Sequence, residues 1–74
     1  MSYSKQETKV YEYMLRHGRI SQMRAVKELG IMRLGARIWD LRNKRGIAIR
    51  DEMIYQVSEN GERTHWKEYW LAEP

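Results

Sequence analysis

From Val10 to Leu41 apolar residues return every three or four positions; beyond Gly46 they alternate with polar ones, so a helical period gives way to a strand period. Three helices are predicted. The first spans 5–16: Ser4 and Glu7 form the S-K-Q-E capping box, Val10, Tyr13 and Met14 give the inner face, Tyr11 and Leu15 widen it, and Gly18 supplies the stop. Gly18-Arg19-Ile20 reads as a connector. Ser21 caps a second helix over 22–29, whose inner face is Met23, Val26 and Leu29, or Ala25, Val26 and Leu29. Gly30 ends it. The third helix spans 33–44, with Leu34, Ile38 and Leu41 on one stripe, Ile38 near its centre, and Gly46 as its stop.

After Gly46, Ile47, Ile49, Met53, Tyr55 and Val57 alternate with Ala48, Arg50, Glu52, Ile54 and Gln56. Asn60-Gly61 is the hairpin signal, and the return strand runs from about 63 to 71. A two-residue turn there pairs Val57 with Thr64 and Tyr55 with Trp66. It also puts Trp66 and Trp70 on the Ile47/Ile49 face and turns Tyr69 and Leu71 outward, an uncomfortable result for two large apolar residues. A bulge near Arg50 to Glu52 would reverse the parity.

Charge changes the picture more than composition does. The chain has 74 residues, enough for one domain, and a net charge of +4. Between Arg33 and Arg45 stand five bases (Arg33, Arg37, Arg42, Lys44, Arg45) and one acid, Asp40; everywhere else bases and acids balance at nine each. The whole excess therefore sits on the third helix. Arg33, Arg37 and Lys44 share one flank with Asp40, while Ala36 and Asn43 point directly away from the apolar stripe. Two short helices joined by a glycine-containing turn, the second one basic, form a helix-turn-helix pattern. One spacing is unusual: Ala25 precedes Gly30 by five residues where the common pattern has a small residue four before the turn glycine. Gly35 inside the third helix costs about 1 kcal/mol relative to alanine. It reads either as close packing against helix two or as close approach to a DNA backbone.

The order of three helices and a hairpin, with G-I-M-R-L-G-A-R-I-W-D-L-R-N-K-R-G, then I-A-I, N-G and Y-W-L, resembles small winged helix-turn-helix domains of bacteriophage and prophage genomes. The resemblance covers roughly Lys5 to Leu71. It implies an α+β fold of three helices followed by a two-stranded antiparallel wing. It also implies that Arg33, Ala36 and Arg37 lie at the start of a DNA-recognition helix, and that Asn60-Gly61 forms the wing tip.

The expected partner is double-stranded DNA. Arg33 and Arg37, four apart, repel each other unless an anion lies between them; the plain alternative is a solvated face, or an Arg37–Asp40 pair. Asn43 and Lys44 are placed for phosphate, although Lys44 can simply offset the helix dipole. Arg63, His65 and Lys67 alternate on one strand face, so Arg63 and Lys67 are wing candidates, opposed by Glu59 and Glu62 near the turn. Arg24, with Gln22, opens helix two where it can meet a phosphate. Arg42 lies nearer the fold and is not a candidate. The expected role is a small transcriptional or phage regulator in the cytoplasm, alone or as a homodimer.

A docking module for a host protein is the rival reading. It calls for Trp39, Trp70 and Tyr69 exposed together, whereas Trp39 is expected to pack against the wing. RNA binding would need aromatics displayed for stacking. His17 and His65 lack neighbouring ligands, so no metal, cofactor or small-molecule site is read; no catalytic constellation stands out and no enzyme is expected. There is no cysteine, no leader-like N-terminus and no apolar run of membrane-spanning length.

Overall fold

A computed structural model describes residues 5–72. Helix α1, Lys5–His17, buries Val10, Tyr13 and Met14 as the spacing requires; Tyr11 is half-buried, but Leu15 is exposed and lies outside the inner face. Its last turn closes where the Gly18 N–H donates to Met14 O at 3.0 Å. Of the capping box, Ser4 lies outside the described residues; Glu7 is buried at 4% exposure.

The stretch expected to be a connector is a strand. β1, Arg19–Ser21, pairs antiparallel with the strand that ends the chain, giving a three-stranded sheet where a two-stranded hairpin was expected. Ile20, fully buried, anchors it from one face. Three residues contain a single inward side chain, too few to display a period.

Ser21 caps helix α2, Gln22–Arg24, by accepting the Arg24 N–H on Oγ at 3.3 Å. α2 passes directly into a π-helical turn, Ala25–Leu29. The Gly30 N–H is shared between Ala25 O and Val26 O, and Gly30 takes a left-handed φ of 69° that a side chain would strain. The π turn absorbs the five-residue spacing from Ala25 to Gly30: one extra residue is accommodated as a wider turn. It also corrects the inner face. Ala25 is fully buried and Leu29 half-buried, while Met23 and Val26 are exposed.

Helix α3, Leu34–Asn43, is one residue shorter at each end than predicted. Leu34, Ile38 and Leu41 are its buried stripe, in one core with Val10, Met14, Ile20, Ala25, Ile31 and Ile49. Ile31, in the turn between helices, is fully buried and helps fix how the two helices cross.

β2, Ile49–Val57, and β3, Arg63–Leu71, pair continuously from Ile49↔Leu71 to Val57↔Arg63, with β3 central in the order β1-β3-β2. This register differs by one residue from the predicted pairing: Tyr55 faces His65, and Trp66 faces Ile54. The cause is the turn. Ser58 N–H donates to Glu62 O at 2.8 Å and Gly61 N–H to Ser58 O at 2.9 Å, so the loop holds three residues, Glu59-Asn60-Gly61. Gly61, at φ 85°, takes the left-handed position that such a loop demands. The single step reverses the parity with no bulge: Tyr69 and Leu71 turn inward with Ile49 onto the core, and Trp66 and Trp70 face the other way.

Ile38, at 2% exposure, sits where α3 meets the core. Ile38→Ala is expected to lower unfolding free energy by roughly 2–5 kcal/mol, read from chemical denaturation, enough to unfold much of a domain this small.

Candidate nucleic-acid interface

Two side-chain joints set the geometry around α3. The first is Gln22. Its Oε1 accepts the Leu34 N–H at 3.1 Å, while its Nε2 donates to Met32 O at 2.9 Å and Ile31 O at 3.3 Å. Arg33 occupies the N-cap position with no side-chain capping bond of its own, so the cap of α3 comes from the start of helix two. One amide thus holds both sides of the helix-turn-helix corner.

The second joint is Arg42. Its guanidinium donates to Ile49 O at 2.7 Å (Nη2) and 3.2 Å (Nε), and pairs with Asp51 at 2.8 Å. This hydrogen bond holds the Asp51 carboxyl below the usual carboxylate range, helped by the charge of Lys67. Asp51 lies on the sheet face that carries Ile49, Tyr69 and Leu71, so α3 is fastened to that face. Arg42 takes the position toward the strands that was expected of Trp39. Trp39 is turned outward at 58% exposure and does not pack as a lid on the wing.

Beyond Asp51 the same sheet face leaves the helices behind. Met53, Tyr55 and Val57 of β2 alternate down it opposite Lys67, His65 and Arg63 of β3, and all six are exposed. Tyr55 and His65 rings lie 5.9 Å apart, a cross-strand contact near the tip. The molecule measures 50 × 24 × 20 Å, a long axis that nine-residue strands supply.

The predicted site residues fall into three groups. Ala36 and Asn43 stand with Gly35 and Trp39 on the outward face of α3; Asn43 Nδ2 donates to Trp39 O at 2.9 Å. Arg37 and Lys44 stand on the flank toward α1, with Arg33 at the N-cap before them. There Arg37 pairs with Asp40 at 3.2 Å, Lys44 reaches the same carboxylate at 3.6 Å, and Arg37 also donates to Gln6 Oε1 at 3.3 Å. With a quarter of its side chain exposed, Arg37 is largely engaged by the fold. Arg63 and Lys67 form the opposite flank, on the wing. Arg24 joins neither: it donates to Tyr13 Oη at 3.1 Å, which raises its pKa, and lies 3.6 Å from Glu28. Tyr13 in turn donates to Glu28 Oε2 at 3.0 Å, tying α1 to helix two.

Gly35 meets neither helix two nor anything else: a Cβ built there finds no atom within 4 Å. Close packing within the protein does not explain it.

On the other sheet face, at its base, the side chains pair with one another. Arg19 stacks 4.2 Å over the Trp70 ring and pairs with Glu68 at 3.1 Å and Glu52 at 3.0 Å, which raises its pKa. Trp66 Nε1 donates to Glu68 at 2.9 Å, the main reason that carboxyl is held low. Trp70 therefore shares no patch with Trp39, and Tyr69 packs on the core. Sequence reasoning missed the Gln22 clamp and the Arg42 joint. A polar residue at a helix start and a basic residue beside an apolar stripe are the only signals it had.

The arrangement of helices, turn and hairpin is that of a known class. The chain belongs to the winged helix-turn-helix domain family, whose profile matches residues 5–74. Winged helix-turn-helix folds are typical of DNA-binding, non-enzymatic domains. No individual curated protein matches the chain. Among the described residues no helix is long and apolar enough to cross a membrane, and no three His, Cys, Asp or Glu residues cluster as metal ligands.

Gln22→Ala removes the cap of α3 and both turn contacts. Loss of a cap costs about 1 kcal/mol, so the melting temperature should fall by roughly 4–8 °C. Replacing Asp51 tests the second joint through pH. Its folded pKa is depressed, so its contribution is complete above the unfolded value, about 3.9, and is lost as pH falls through the folded value. Asp51→Asn should therefore flatten the loss of stability below about pH 4, followed by urea midpoints between about pH 6 and pH 2.

Proposed function

We propose that this domain binds double-stranded DNA, with the outward face of α3 in the major groove and the hairpin along the adjoining backbone. One observation carries the reading: the outer face of α3, exposed at Gly35, Trp39 and Asn43, is bordered by cations on both sides, Arg33 at the helix start and Lys67 and Arg63 on the wing. A major groove about 12 Å wide admits one helix and presents a phosphate strand on each side. Two cationic rims around one helix match that layout. Lys44 and Arg37 add charge to the first rim while remaining bound to Asp40, and Asn43 stands at the far end of the face. A domain that occupies a stretch of duplex acts by covering it, so the role we assign is regulation of transcription.

The docking alternative draws on exposed Trp39. It lacks the rest of its patch, because Trp70 lies under Arg19 on the far side of the sheet.

Arg33 makes no side-chain capping bond that its removal would disturb, whereas removing Arg37 strips one partner from the nearly buried Asp40 carboxylate. Arg33→Ala and Lys67→Ala are therefore the informative changes. Removing one phosphate-binding cation should reduce the slope of log affinity against log salt by about 1, measured by titrating random duplex at several salt concentrations. Arg50→Ala removes the same charge from the opposite sheet face and should leave the slope unchanged. Equal slopes for all of these variants and the parent would remove the DNA reading of this face.

A further inference from the structure

We propose that the α3 face selects A·T base pairs by contact with thymine 5-methyl groups, with Ala36 and Trp39 as the contacting residues and Gly35 as the floor that admits them. This rests on the DNA reading above and specifies what that face reads.

The commonest specific base contact is an arginine or lysine bidentate to guanine. The centre of this helix face offers none. Arg37 is held by Asp40 and Gln6, Lys44 reaches Asp40, and Arg42 is turned to Ile49 O and Asp51 on the inner side. Arg33 stands at the N-cap, before the first helical residue. What faces outward is Gly35, Ala36, Trp39 and Asn43. Trp39 is mid-helix and 58% exposed. Gly35 stands one turn before it, and the space a Cβ would take at Gly35 is open. A side chain absent on one turn and a large ring on the next make a step in the helix surface, with the Ala36 methyl alongside.

Such a step is apolar and shaped for a small apolar group. In the major groove the one apolar group on a base edge is the thymine methyl. Asn43, one turn beyond Trp39, adds an amide of the type that pairs with adenine N6 and N7. Its bond to Trp39 O uses one Nδ2 proton and leaves the other and Oδ1 for that pairing. Methyl contact and amide thus favour the same base pair, while the flanking cations supply sequence-independent attraction.

The test uses the full chain and three synthetic duplexes: alternating dA–dT, the same duplex with every thymine replaced by uracil, and alternating dG–dC. The dA–dT duplex should bind more tightly than its uracil counterpart by about fourfold for each methyl buried, the equivalent of roughly 0.8 kcal/mol. Trp39→Ala, whose melting temperature should stay near that of the parent, should bring the thymine-to-uracil ratio close to one and leave dG–dC binding unchanged. Gly35→Ala should raise the melting temperature yet weaken binding to the dA–dT duplex. If all three duplexes bind alike in the parent, or if Trp39→Ala preserves the thymine preference, the methyl reading is overturned and DNA binding stands. If no duplex binds at low salt, both fall.

Discussion

The fork of Arg42 fixes the relation between the two parts that any partner would meet. Helix α3 packs on the core through Leu34, Ile38 and Leu41, which leaves its rotation against the sheet to be settled by something more directional than apolar contact. The guanidinium supplies direction: its fork takes a backbone carbonyl and a carboxylate of β2 together, a geometry with little latitude. The angle between helix and hairpin follows from it, and so does the outward turn of Trp39. Surface ion pairs are generally worth little in stability. This one matters for alignment, since it ties α3 to β2 beside the apolar packing of Ile49 in the core.

Most of the fold was legible because most of it is periodic. The stripe Leu34, Ile38, Leu41 and the alternation after Gly46 each repeat often enough to be read, and both place their elements correctly. What escaped were features that turn on a single residue. β1 has one buried side chain. The π turn is visible in the sequence only as a spacing of five, which the structure explains. The Asn60-Gly61 pair favours a two-residue turn, yet a Ser58–Glu62 closure makes it three, and that one step inverts the faces of both strands. The discomfort of exposing Tyr69 and Leu71 pointed to the right parity, although to the wrong cause.

The candidate site was legible in outline and less so in detail. Concentration of charge marked α3 and is visible in the sequence as a count. Which of those charges stay available is a tertiary property. Asp40, nearly buried, draws in Arg37 and Lys44, and Tyr13 of α1 draws in Arg24 while holding Glu28 of the same helical segment. The exposed residues that remain at the centre of α3 are small or aromatic, so the face is less cationic than its sequence suggests.

The sheet is lopsided in its support. β1 pairs only with residues 68–70 of β3, so from Arg63 to Lys67 the central strand has a neighbour on one side alone, and the face that carries Met53, Tyr55 and Val57 is exposed there. Backbone hydrogen bonds there are backed by few buried contacts, which places the outer wing at the low end of local stability while its base shares that of the core. The wing is then a spring clamped at one end. It can bend to follow the contour of a curved polymer without disturbing the clamp, and the entropy it gives up on being held is withdrawn from the affinity of whatever holds it.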